Sequence, residues 1–534
     1  MSDTATAQDF LELEQLYKNK PGAYRRKVVG LIGLGYLYVS LAAVLILGFF
    51  LGGAILFLTG KVSWLLFDNF LKVGIPAVIV AFLMVRAIFV RLPKPDGHYL
   101  DGDEKRKVLE FFEGVRKAAD GKPIDEVVIT HELNAAVQQM PKFGLFGPST
   151  NYLIIGVPLL QLMSADEVRA VIAHEFGHLS HEHGRMGAMV YRLDQTLVRA
   201  AMAVDEKTKS GSRGWSYKAI NWFYQRFSKV TFAMRRGQEY EADAKAARAT
   251  SAAAISSALC RLYALDGPIG DYWNAIWRRP RDSESNSNET PHAEMLDAVR
   301  GNIDAGASAN AVEAAMQFQT NFADTHPCLK DRLEALDHAS VDEFSLADSA
   351  LSHIFPDADR AEFLQQVDHA WQRWTEPGWT AAHNEFLQAK EEREALSARR
   401  AELDFDELVR LGSLEEYVEN MEAAQPTFEA LAAAHPDNAT AQFHYGRSLL
   451  NDDFGRAESA LLKCVELDIE YAPSVGQFLE FGYEREGRPE DFEKFRQTLA
   501  QYDELVDGAN KERETVTLED NLLPVEIGDQ FSVA

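Results

Sequence analysis

Hydrophobic positions fall into three regimes along the 534-residue chain. From Val28 to Gly60 no charged side chain occurs in 33 consecutive positions. About 20 apolar residues cross a bilayer as a helix, so this stretch predicts one tilted span over about 28–59. A second apolar stretch, about 70–90, has Lys72 and Arg86 near its ends, where long basic side chains snorkel to the interface. Its Gly74 and Pro76 are tolerated inside membrane helices. Together they predict a transmembrane hairpin over 28–92 behind a polar segment 1–27. The length of the first run and the polar residues before it exclude a cleaved signal peptide.

Beyond the hairpin the period shortens. Val127–Thr130 and Tyr152–Val157 are rich in β-branched and apolar residues and predict strands, with Pro141, Gly144, Gly147 and Pro148 marking turns between them. Ser164 followed by Glu167 makes a capping box, and Val168, Val171, Ile172, Phe176 and Leu179 supply an apolar face at helical spacing. A small sheet flanked by helices predicts an α+β domain over 93–340. Residues 281–291 read as a polar loop. The C-terminal third is mostly helical, so the chain as a whole is mostly helical. Helices over 341–405 bridge to 406–510, where Leu411-Gly412, Tyr445-Gly446 and Phe481-Gly482 recur at intervals of 34 and 36 residues. This resembles tetratricopeptide repeats, whose period is about 34 residues. Such repeats capture a peptide or partner in a concave groove, or pack as a helical domain with no ligand. Residues 511–534 read as an extended acidic tail.

Charge changes the picture in three places. The net charge of −27 argues against a nucleic-acid partner. Lys18, Lys20, Arg25, Arg26 and Lys27 precede the hairpin; Arg91, Lys94, Lys105, Arg106 and Lys107 follow it; only Lys61 and Lys72, with Asp68, lie between the spans. By the positive-inside rule both termini and the domain after the hairpin are cytoplasmic, as an integral protein of a bacterial cytoplasmic membrane would have them. Three widely spaced cysteines, Cys260, Cys328 and Cys464, imply no disulfide framework, in keeping with that compartment. Residues 207–238 carry eight basic side chains and no acid, interleaved with aromatic residues from Trp215 to Phe232. They read equally as a helix lying on an anionic bilayer surface or as an aromatic cover over a cleft with its basic side exposed.

The chemistry concentrates in His174-Glu175-Phe176-Gly177-His178. Helical positions four apart share a face, so His174 and His178 can hold one metal, for which zinc is the natural choice. Glu175, offset by one position, is free to act as general base on a water molecule. A catalytic zinc needs a third protein ligand. Glu239 and Asp243, also four apart, offer a ligand and a hydrogen-bond acceptor for a ligand imidazole. Glu241 lies on another face of that helix. His181 and His183 read as structural or solvated, since the metal already has its ligands.

In this order H-E-F-G-H and E-Y-E-A-D resemble the membrane zinc peptidases that include the CAAX prenyl proteases and the heat-shock membrane protease. Thr325-His326-Pro327-Cys328, followed by Arg332, is similar to that family's T-H-P-P segment with Cys328 in place of the second proline, and Leu133-Asn134-Ala135-Ala136 resembles its N-A-F strand with Ala136 at the aromatic position. The resemblance spans roughly residues 28–340. It implies one Zn²⁺ per chain on His174, His178 and Glu239. It implies Glu175 as general base and acid, Asp243 behind a ligand, and Asn134, His326 and Arg332 near the oxyanion or the substrate backbone. Without it, His326 reads as a cap before Pro327 and Arg332 as a surface ion-pair partner. The expectation is therefore a membrane-anchored zinc endopeptidase, an α+β zincin-type domain behind the hairpin, acting on membrane or membrane-associated polypeptides. An open strand edge beside the zinc would bind them as an added strand. The alternative is a membrane-tethered scaffold that works through its repeats, engages a protein partner there, and keeps a structural or vestigial zinc site.

Overall fold

The computed structural model describes residues 12–60, 94–143, 146–178, 190, 193, 215–302, 305–318, 326–337, 349–488 and 490–499. These form two compact units. One runs to Trp277 and resumes over Ser287–Trp374; the other comprises Arg278–Asn286 and the chain from Thr375 onward.

In the first unit, residues 12–19 are helical and lead into α1, Pro21–Leu58, a helix of 38 residues started by a proline at its first turn. No charged residue follows Lys27 in it. The expected second span, about 70–90, lies outside the described residues, so the hairpin as such is not described. Among residues whose side chains are described, no helix is long and apolar enough to cross a membrane; in α1 that description is interrupted at Tyr36 and at most positions from Tyr38 to Phe50.

The sheet has the order β1-β2-β4-β3, from β1 His98–Tyr99, β2 Glu126–Thr130, β3 Ala135–Phe143 and β4 Phe146–Gly156. β2 and β4 are parallel and form its buried centre, with Val127, Leu153 and Ile155 fully enclosed. β3 runs antiparallel to β4 at the edge. The turn residues at 141–148 suggested a loop, yet strand pairing continues past Pro141 to Phe143↔Phe146, with a register shift between Pro141 and Phe143. An edge strand accommodates proline because its outward N–H has no ladder partner. α2, Gly102–Ala118, buries Val108, Phe112 and Val115.

β4 turns directly into the short α3, Val157–Leu162, and then α4, Ala165–His178. The capping box forms: the Glu167 amide donates to Ser164 Oγ at 3.3 Å, and the Ser164 amide to Glu167 at 2.8 Å. Next come α5, Trp215–Ala249, and α6, Ala252–Ile276. The expected basic aromatic block therefore falls on α5 from Trp215 on; residues 207–214, like His181 and His183, lie outside the described residues. α7 (Pro291–Asn302), α8 (Ala305–Gln317), α9 (Leu329–Ala335) and α10 (Ala350–Ile354) complete the elements of this unit that close around the sheet and α4.

α11, Asp357–Ala398, starts in the first unit and ends in the second. The second unit continues as helices α12 Phe405–Val418, α13 Met421–Ala434, α14 Ala439–Ser448, α15 Phe454–Leu467 and α16 Ala472–Arg485. The recurring glycines mark where consecutive helices press together. A Cβ on Gly412 would meet Phe428 at 2.4 Å, one on Gly446 would meet Leu461 at 2.7 Å, and one on Gly482 would overlap Phe454. Asp404, Asn420, Asn438 and Asp453 each cap the helix that follows through a side-chain oxygen.

Candidate metal centre

The site forms where α4 crosses α5. At the crossing Gly177 faces Ala242, and a Cβ on Gly177 would lie 2.9 Å from the Ala242 Cα. Only a residue without a side chain lets the two backbones approach this closely. Four-residue spacing on both helices then sets His174 and His178 opposite Glu239 and Asp243.

Nε2 of His174 and Nε2 of His178 are 3.0 Å apart. Glu239 Oε2 is 3.5 Å from the first and Glu239 Oε1 is 3.4 Å from the second. Among the described residues these three form the one group of its kind able to hold a metal ion. Asp243, 1% exposed, accepts from His174 Nδ1 at 2.8 Å. That bond puts the His174 proton on Nδ1 and leaves the Nε2 lone pair facing the group. Arg332 of α9 lies behind: its Nε donates to Asp243 Oδ2 at 2.8 Å and its Nη2 to Oδ1 at 2.7 Å. The expected place for Arg332, beside an oxyanion, is therefore not where its hydrogen bonds go. Its guanidinium grips Asp243 bidentately and approaches Glu239 only at 3.9 Å. His326, half exposed, brings Nδ1 to 3.1 Å from Glu239 Oε2. Asn134 bonds locally at the entry to β3: its Oδ1 accepts from the Ala135 amide at 2.7 Å and its carbonyl from the Gly156 amide at 2.8 Å.

A cation fits this group. Glu239 Oε2 is buried without an aligned hydrogen-bond donor, a costly state for a carboxylate oxygen unless a positive charge faces it. Two imidazole lone pairs converge on the same point. Ligands on a tetrahedral zinc with bonds near 2.0–2.1 Å stand about 3.3–3.4 Å apart, close to two of the three separations here. Mixed nitrogen and carboxylate donors also suit zinc.

The electrostatics agree. Burial works against charge on His174, yet Asp243 and Glu239 outweigh it and lift its pKa to about 9. Burial, seconded by His174, pushes His178 down to about 4. Burial opposes ionisation of Glu239, but the neighbouring imidazoles hold it well below the usual carboxylate range. The field at this point thus favours one positive charge. Glu175 lies next to His174 on α4 and feels the charges of this group. Burial, helped by Glu239, raises it to about 7, with the Val137 backbone amide of β3 holding its carboxylate.

Two supports escaped sequence reasoning. Glu167, the capping residue, also accepts from Arg261 Nε at 2.8 Å and from Ser257 Oγ at 2.6 Å, tying the start of α4 to α6. The Gly177–Ala242 contact was visible only as two small residues inside the motifs.

Comparison with known proteins addresses the same region. Residues 126–340 match the model of peptidase family M48. The match takes in β2 to α9, hence both metal-side helices, and at family level it connects them with zinc metallopeptidases. A protein of Archaeoglobus fulgidus described as a protease HtpX homolog is 23% identical over 204 residues, covering 36% of this chain and 58% of that protein. The crystal structure of Ste24p from S. mikatae overlaps 57% of this chain and 66% of its own at 18% identity and a TM-score of 0.23, too loose an overlap to carry an argument about the fold. The chain spans less than two thirds of the length of either relative.

Proposed function

We propose that this chain is a membrane-anchored zinc endopeptidase that cleaves membrane or membrane-associated polypeptides on the cytoplasmic face. The observation that carries the reading is the buried Glu239 carboxylate set against Nε2 of His174 and Nε2 of His178, one oxygen toward each. Zinc there supplies Lewis-acid activation of water and of the scissile carbonyl. The chain's own residues do the rest. Asp243 and Arg332 hold His174 in one tautomer. Glu175, near neutral in pKa, takes the proton of the attacking water and delivers it to the leaving amine. β3, at the sheet edge beside Glu175, offers its outward backbone groups to an extended substrate. His326 reaches the Glu239 carboxylate from the partly exposed side and is placed to donate to a developing oxyanion; Asn134, at the head of β3, positions the substrate backbone.

Support for the anchor comes from α1. Val29, Leu34 and Leu37 are exposed there, past the exposed Arg25, Arg26 and Lys27, the order that a helix entering a bilayer requires. The tetratricopeptide-like helices are read as a partner-binding module of the same enzyme.

The test is zinc content and casein proteolysis of the purified protein beside Glu175→Gln. The variant should keep its zinc and lose about 10²–10⁴-fold in kcat. A protein that holds zinc yet hydrolyses nothing would favour the scaffold reading instead.

A further inference from the structure

The back of α5 is gripped by residues that the metallopeptidase reading does not use. Tyr24, fully buried, places its hydroxyl between the Val230 carbonyl and the Met234 amide: it donates to the first and accepts from the second at 3.0 Å. That carbonyl and amide are the pair an α-helix joins directly. The hydroxyl thus ties this turn of α5, which runs unbroken over Trp215–Ala249, directly to Tyr24. Thr231, in the same turn, adds a back-bond to the Phe227 carbonyl at 3.0 Å. One turn on, the Tyr17 ring fills the notch over Gly237, where a Cβ would overlap it. Its hydroxyl donates to Glu241 at 3.0 Å.

Helical periodicity gives these contacts a direction. Val230, Met234, Gly237 and Glu241 follow one another at four, three and four positions and share one face. Glu239 sits two positions after Gly237, about 200° around the helix, and Asp243 two positions after Glu241. The clasp thus presses the face opposite the metal side. Contacts on that face back the turns that carry Glu239 and Asp243 against α4. Leu13, Tyr24, Val28 and Ile32 pack in one buried cluster with Phe227, Val230 and Met234, so the grip is continuous with α1.

We propose that Tyr24 and Tyr17 are positioning residues for Glu239: the first turn of α1 and the segment before it clamp the back of α5 and seat the third ligand against His174 and His178. The proposal rests on the metallopeptidase reading. It also makes the apolar helix more than a tether, because Tyr24 belongs to that same helix and any displacement of α1 is passed to a metal ligand.

The experiment measures zinc affinity of the full chain in detergent by competition with a chromophoric chelator, with Tm of the zinc-free proteins recorded in parallel. Tyr24→Phe keeps the ring and removes the hydroxyl that ties it to the Val230 carbonyl and the Met234 amide, so the clamp on α5 loosens; it should bind zinc about 10- to 100-fold more weakly, the range for supports of metal ligands. Tyr17→Ala should weaken zinc binding similarly, and Tyr17→Phe, which keeps the wedge over Gly237, should restore most of it. Wild-type zinc affinity in both Tyr24→Phe and Tyr17→Ala overturns the proposal. So does a lowered Tm with affinity unchanged, since that is a purely structural role. A wild-type chain that holds no zinc overturns the metallopeptidase reading itself, and this proposal with it.

Discussion

Asp243 touches no substrate, yet the site depends on it. One carboxylate receives both the His174 ring and the Arg332 fork, so it fixes a ligand's tautomer while Arg332 keeps it ionised at a position 1% exposed. Partners of this kind are worth about 10–100-fold in metal affinity. Asp243→Asn should fall in zinc affinity by that factor, and Arg332→Ala by less, with activity per bound zinc much better preserved than in Glu175→Gln. Isothermal titration with zinc, followed by turnover at saturating zinc, separates the two effects; equal zinc affinity in Asp243→Asn and wild type would leave the carboxylate without this role. Residues of this rank were legible in the sequence because spacing of four on a helix is a strong geometric constraint. The partner of Arg332 was not. Position 332 lies 89 residues beyond Asp243, and no local pattern records which buried carboxylate a distant guanidinium will meet.

At the scale of elements, two contacts hold α4 in place. The first is the crossing at Gly177. Gly177→Ala would put a methyl group against the Ala242 backbone, which can yield only by moving α5 and Glu239 with it. Overpacking of this kind costs typically 1–3 kcal/mol. Lower thermal stability and weaker zinc binding should therefore appear together, and a Gly177→Ala protein unchanged in both would show that the helices have slack. The second is the Glu167–Arg261 pair. Burial alone would raise the Glu167 pKa, but Arg261, with Ser257 and the Ser164 amide, outweighs it and lowers it. A carboxyl depressed in the folded state binds its proton more readily when unfolded. Its stabilisation is thus present above the ordinary carboxyl range and fades as pH falls through the folded pKa. Glu167→Gln should flatten the acid limb of a stability profile and cost about 3 kcal/mol at neutral pH, where a buried charge loses its partner. Urea titrations at pH 4 and pH 7 measure both; an unaltered acid limb would assign the slope to other carboxylates. The α4 cap was readable from Ser164 and Glu167 alone. Only the head of β3 was, through the resemblance at Leu133–Ala136; its continuation past Pro141 was not, because prolines and glycines at 141–148 signal a turn unless one knows that the strand is at an edge.

For the whole molecule the open matter is which side of the bilayer holds the catalytic unit. Basic residues lie on the outer flanks of the two apolar stretches, from Lys18 to Lys27 and from Arg91 to Lys107, whereas the link between the stretches carries Lys61 and Lys72 against Asp68. Loops rich in lysine and arginine stay in the cytoplasm, and two crossings bring the chain back to the side from which it started. If both stretches cross, as proposed, the unit bearing His174 and Glu239 lies with both termini. Cys260 and Cys464 are buried thiols whose pKa values burial raises. Reporter fusions decide the matter. A fusion at Ala534 should be active only with a cytoplasmic reporter, and one near Asn69 only with a reporter that works across the membrane. Moving the balance of charge tests the cause: replacing Arg25, Arg26 and Lys27 with glutamine while adding lysines beside Asn69 should invert or mix the two signals. If both fusions report the same side in the unaltered chain, the stretch at 70–90 does not cross, and the catalytic unit lies across the membrane from the N-terminus.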